Sequence, residues 1–172
     1  MLAWIGGILV ICACGGVGRQ FRRSLQRRRE ELLAFLFALQ CIEIEIRYAG
    51  NPLPLALDAA GKQAGGQVGE FFMATGQRLA AAKGQVIADI WRQTLEEWEA
   101  TLALNQEDFE LLYQFGLGLG VSGVEDQMKR IGLTVQQLNK RINQAEENLA
   151  KMGKVWTSLG WGTGLVVVLL WI

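Results

Sequence analysis

Charge is absent from both ends of this chain. From Met1 to Gly18, MLAWIGGILVICACGGVG, and again from Val155 to Ile172, VWTSLGWGTGLVVVLLWI, no side chain carries a carboxylate, ammonium or guanidinium group. A helix rising about 1.5 Å per residue needs roughly 17–25 apolar residues to cross the hydrocarbon of a bilayer, and each run meets the lower bound. Trp4, Trp156, Trp161 and Trp171 supply interfacial anchors. A secretory signal places its basic residues before its apolar core. Here nothing basic precedes Leu2, whereas Arg19, Arg22, Arg23, Arg27, Arg28 and Arg29 follow the run, and Lys151 and Lys154 precede the second. Basic residues close to a span stay on the cytoplasmic side. Residues 1–18 and 155–172 are therefore expected to be transmembrane helices, with residues 19–154 cytoplasmic and both termini on the opposite side. A buried core helix is the competing reading of either run, and it leaves the inward-facing basic flanks unexplained. Gly160 and Gly164 form a G-x-x-x-G, and Gly6, Gly7, Gly15 and Gly16 offer similar small surfaces for close helix approach.

Composition narrows the chemistry. The 172 residues include 17 acids, 17 bases and no histidine. Balanced charge argues for neither nucleic acid nor an acidic partner. Without histidine the usual general base and the commonest metal ligand are missing. Cys12 and Cys14 lie in the first apolar run and Cys41 stands alone, too few for a zinc site and with no pairing implied. They read as small packing hydrophobes, with palmitoylation near the membrane as the alternative. The paired carboxylates Glu43 with Glu45 and Glu96 with Glu97 have no histidine or metal partner and read as solvated faces. No catalytic, cofactor or metal residue is expected, and no small-molecule substrate.

Between the ends, helical periodicity dominates. Met128, Ile131, Val135, Leu138, Ile142, Ala145, Leu149 and Met152 alternate spacings of three and four, a coiled-coil seam. Phe21, Leu25, Leu32, Phe35, Leu39, Ile42 and Ile46 form a matching stripe with Arg28 as its polar intruder. Leu33, Leu36, Phe37 and Ile44 widen that helix's apolar surface, so it should touch more than one neighbour. These arms, 19–49 and 124–154, are each about 45 Å long and are expected to pair antiparallel, each continuing into its span. Residues 50–123 read as four short helices at the far end of the arms. Asn51 and Pro52 stop the first arm, and Pro54 suits a first helical turn. KQAGGQ reads as a loop. Val68, Phe71, Phe72 and Leu79 mark one helix, and Val86 or Ile87, Ile90, Trp91, Leu95, Trp98 and Leu102 the next. Asn105 with Asp108 three residues on caps a third. No segment alternates with period two. The expected fold is all-α: two terminal transmembrane helices continuing into an antiparallel long-helix pair, capped by a small cytoplasmic helical bundle.

GLGVSG, residues 118–123, matches the G-x-G-x-x-G of dinucleotide-binding loops, but that loop needs a strand before it. Here a helix carrying Phe109, Leu112, Tyr113, Phe115 and Leu119 precedes it. Gly120 suits a left-handed helix cap, and Ser122 with Glu125 forms the capping box of the returning arm. The glycines read as a corner between helices.

Three stretches together carry a family resemblance. EIEIRYAGNPLPLA presents Glu43, Glu45, Ile46, Tyr48, Pro52, Leu53, Pro54 and Ala56 on an E-x-E-I-x-Y…P-L-P-x-A pattern. FGLGLGVSGVEDQ presents Phe115, Gly116, Leu119, Gly120, Ser122 and Gln127 on F-G-x-x-L-G-x-S-D-x-x-x-Q, with Gly123 standing where the pattern has aspartate. SLGWGTGLVVVLL presents Ser158, Leu159, Gly160 and Gly164 of a closing span. In these the chain resembles the stage III sporulation protein AB family of endospore-forming bacteria. The resemblance implies a non-enzymatic component of the channel between mother cell and forespore, seated in the mother-cell (outer forespore) membrane. It also implies likeness to the F-type inner-membrane platform of type II secretion and type IV pilus machines. The partners implied are the cytoplasmic hexameric ATPase, stage III sporulation protein AA, and other channel proteins. A membrane-anchored signalling or regulatory adaptor, whose coiled-coil arms bind in trans, is the alternative expectation.

Overall fold

The computed structural model describes the backbone of residues 2–82, 84, 86–120 and 123–169, with side chains described at 20, 22–82, 84, 86–120 and 123–151. Six helices follow one another: α1 (Leu2–Arg47), α2 (Leu53–Ala64), α3 (Gly66–Ala81), α4 (Ile87–Trp98), α5 (Gln106–Leu117) and α6 (Val124–Leu169). No strand occurs among the described residues, and the all-α expectation holds. The runs 1–18 and 155–172, with Gly160 and Gly164, lie outside the described side chains. Among the described residues no helix is long and apolar enough to cross a membrane.

The seams pair the two long helices. α1 and α6, 46 residues each, pack along one another in antiparallel sense. Arg29 meets Glu146 at the middle of α6, whereas Arg47 at the end of α1 shares a cleft with Val124 and Met128 at the start of α6. Leu32, Phe35, Leu39 and Ile42 are buried on α1, and Met128, Ile131, Leu138, Ile142 and Ala145 on α6. Leu25, Ile46, Val135 and Leu149 are half-buried; Phe21 and Met152 lie outside the described side chains. Of the wider apolar surface of α1, Leu33 and Leu36 pack against the core as expected, whereas Phe37 and Ile44 do not. α1 does touch α2 and α3 as well as α6, and it does so from the side of Cys41, whose thiol lies 3.4 Å from Gln63 Oε1 of α2. Phe37 and Ile44 face outward, 44% and 55% exposed.

Aromatic rings bind the short helices to this pair. Phe71 of α3 lies 5.6 Å from Phe35, 5.3 Å from Phe72 and 5.1 Å from Trp91, centroid to centroid. Trp91 stands edge-on to Phe115 at 5.3 Å and donates Nε1–H to the Leu112 carbonyl at 2.9 Å, so its polar edge is satisfied inside the core.

The corners hold two corrections. KQAGGQ is not a loop: Lys62, Gln63 and Ala64 finish α2, Gly66 and Gln67 begin α3, and Gly65 alone joins them at φ +65°. The abrupt joint is possible because α2 and α3 cross at glycines. A Cβ on Gly69 would sit 2.4 Å from the Gly61 carbonyl oxygen. The second correction concerns α5, which ends at Leu117 and is capped by Gly118 in right-handed conformation, not by Gly120. Gly120 does adopt φ +72°, just beyond that cap, where a Cβ would strike Ile87 Cδ1 at 2.1 Å. The short turn places it against α4.

Candidate functional site

Polar side chains on the inner faces of α1, α5 and α6 meet at one carboxylate. Arg28, the intruder in the apolar stripe, donates Nε–H to Asp108 Oδ2 at 2.7 Å and Nη2–H to Oδ1 at 3.0 Å. Asp108 is fully buried. Its Oδ2 also accepts the Asn105 backbone N–H at 3.1 Å while Asn105 Oδ1 accepts the Asp108 N–H at 2.9 Å, completing the capping box expected from sequence. Arg141 of α6 reaches Glu107 at 2.7 Å and lies 3.6 Å from Asp108 Oδ1. One turn along α1, Glu31 accepts the Ala103 N–H at 2.5 Å, with Arg27 3.6 Å away. Burial raises the Glu31 carboxyl above its ordinary value, against the opposing pull of Ala103 N–H and Arg27. Arg27 also donates to Gln67 at 2.9 Å.

This cluster is a clamp. Each carboxylate is satisfied by hydrogen bonds or ion pairs, and no nucleophile stands beside a base. Among the described residues no group of three or more His, Cys, Asp or Glu is placed to hold a metal. Sequence reasoning treated Arg27, Arg28 and Arg29 as basic flank of a span. In the structure all three are tied into the bundle, and Arg22 and Arg23 remain as the exposed cations beyond them. The signal that could have found the clamp is an arginine on an apolar seam, because a buried guanidinium requires a carboxylate.

The residues of the family patterns fall into three places. At the α1–α2 corner, Glu43 pairs with Arg47 on its own helix at 3.2 Å, and Glu45 Oε2 accepts from Asn51 Nδ2 at 2.7 Å. Tyr48 is 77% exposed. Pro52 holds the N-cap position of α2 and Pro54 its first turn. At the α5–α6 corner, Phe115 is buried, and Gly116 admits Trp91, whose Cδ1 would lie 2.1 Å from a Cβ there. Ser122 lies outside the described residues. Glu125 stands exposed in the first turn of α6, and Gln127 is half-buried with its N–H on the Gly123 carbonyl at 3.1 Å. Gly160 and Gly164 make up the third place, in α6 beyond the described side chains. The structure thus gathers Phe115, Gly116 and Gly120 around α4 but does not join them to Glu43, Glu45 and Tyr48 in one pocket.

Comparison with known proteins gives a consistent picture. The family model described as stage III sporulation protein AB matches residues 3–172. The chain is 32% identical over 171 residues to the stage III sporulation protein AB of Bacillus subtilis (strain 168), covering 99% of each. A solved structure of stage III sporulation protein AB superposes with a TM-score of 0.66 at 30% identity, covering 72% of this chain and 97% of that one. With sequence matched almost end to end and the helical architecture shared, the chain belongs to the stage III sporulation protein AB family.

Proposed function

We propose that the chain is a non-enzymatic platform component of the mother cell–forespore channel in endospore formation. Its two charge-free ends seat it in the mother-cell membrane, and its helical bundle, on the cytoplasmic side, docks a hexameric ATPase, stage III sporulation protein AA. The observation that carries this reading is the antiparallel pairing of α1 and α6. It sends both charge-free runs away from the same end of the pair, while α2 and α3 pack on α1, with α4 and α5 joined to them and to α6. Two runs long enough to span, leaving together, make one anchor. The adaptor reading has the arms come apart or exchange partners, which would break the Arg29–Glu146 pair and expose the apolar seams buried between α1 and α6.

The test is titration of the full chain, reconstituted in nanodiscs, with the purified ATPase. Saturable binding is expected. No binding to the intact chain, with or without nucleotide, would overturn the reading.

A further inference from the structure

α4 and α5 pack antiparallel through Trp91, Leu112 and Phe115, which leaves their outer faces side by side. On α5 the outer positions Glu110, Tyr113 and Leu117 stand at i, i+3 and i+7; on α4 Arg92 and Glu96 stand at i and i+4, with the C-cap residue Glu99 at i+7. Leu117 is 59% exposed and the Tyr113 ring is half-buried. The Tyr113 phenol is pushed above the usual tyrosine value by burial first, then by Glu96 and Glu99 of α4, with Glu110 of its own helix adding and Arg92 opposing. One half-buried ring and one bare leucine thus stand a turn apart on a face whose unpaired charges are carboxylates.

Residues 87–117 hold seven acids and one base. Glu97, Glu107 and Asp108 are taken by Arg78, Arg141 and Arg28 from neighbouring helices. Glu96 and Glu99 are exposed with no ion pair among the described residues, and Glu110 accepts only from Gln114 of its own helix.

We propose that this α4–α5 face docks a basic protein surface, a segment of the ATPase in which Lys or Arg side chains flank an apolar residue that covers Leu117 and the Tyr113 ring. The inference rests on the platform reading and names the face and the chemistry of its partner. Charge decides the occupant. A carboxylate-walled face repels lipid phosphates and nucleic-acid backbone alike, and a second copy presenting the same face would meet its own charge. A basic partner gains encounter rate and orientation from the field and affinity from the apolar centre.

The test uses the full chain in nanodiscs of zwitterionic lipid, titrated with the ATPase at low and high salt. Three variants accompany wild type: Glu96→Gln/Glu99→Gln/Glu110→Gln, Leu117→Ser, and a control at the exposed C-terminal end of α1 and the turn after it, Ile44→Ser/Tyr48→Ser. Wild-type binding is expected to weaken as salt rises. The triple variant should bind roughly tenfold more weakly at low salt and lose most of that salt dependence. Leu117→Ser should weaken binding at both salt levels, and the α1 control should bind as wild type. Should the triple variant melt early, Glu99→Gln alone and its salt dependence decide. Undiminished binding by the triple variant and Leu117→Ser, or a loss confined to the α1 control, overturns the face and leaves the platform reading intact. An ATPase that does not bind wild type overturns both.

Discussion

Asp108 does three jobs with two oxygens: it clamps Arg28, closes the Asn105 capping box, and anchors the approach of Arg141. Truncation to alanine would leave Arg28 buried without a counter-charge and uncap α5. Asp108→Ala is expected to cost about 3–5 kcal/mol, read by chemical denaturation of the detergent-solubilised chain; a loss under about 1 kcal/mol would show the clamp to be dispensable. Glu31 gives the opposite sign. Its folded carboxyl is raised above 4.5 by burial, so the folded state holds the proton more tightly than the unfolded chain. That contribution is fully present below the unfolded value and is lost as pH rises through the raised one. Glu31→Gln keeps an acceptor for the Ala103 N–H, so it should raise the thermal midpoint at neutral pH and flatten its acid-side slope. A lower neutral-pH midpoint would mean that Arg27 and Ala103 outweigh desolvation. The capping box was legible in sequence because its two residues are three apart. Arg28 and Asp108 are 80 apart, and periodicity carries no information about which distant acid meets a buried base.

Glycines show the same division at the scale of the elements. Helix-interior glycine ordinarily weakens a helix by about 0.5–1 kcal/mol relative to alanine. At Gly132 of α6 an added Cβ meets nothing within 4 Å, so Gly132→Ala is expected to stabilise by that amount. Gly69 looks identical in sequence, yet its Cβ would press on a backbone carbonyl of α2 at 2.4 Å. Gly69→Ala should therefore destabilise by roughly 1–3 kcal/mol, the opposite direction in the same denaturation assay. Adjacent glycines in KQAGGQ point to a loop by local rules. The structure needs only one residue there, because the glycines at 61 and 69 let two helices touch backbone to backbone.

For the molecule as a whole, the geometry to defend is that α1 and α6 of one chain stay together. In a chain with Cys12, Cys14 and Cys41 replaced by alanine, Arg29→Cys and Glu146→Cys joined by a short bifunctional maleimide should give an internal cross-link and no dimer, because those two side chains meet in one molecule at 2.7 Å. Cross-linked dimers as the main product would favour arms that pair in trans. The sequence by itself determined the helical class, the two seams, the N-terminal cap of α5 and the charge-free ends. Each of these follows from residues within a few turns of one another, where period and composition act directly. Tertiary structure decided which acid holds Arg28, which glycines are crossings, that Phe37 and Ile44 face outward, and that Glu97 is taken by Arg78 while Glu96 and Glu99 are left without an ion pair among the described residues. Those depend on how separate helices rotate and approach when they pack, a choice made by the fit of whole surfaces.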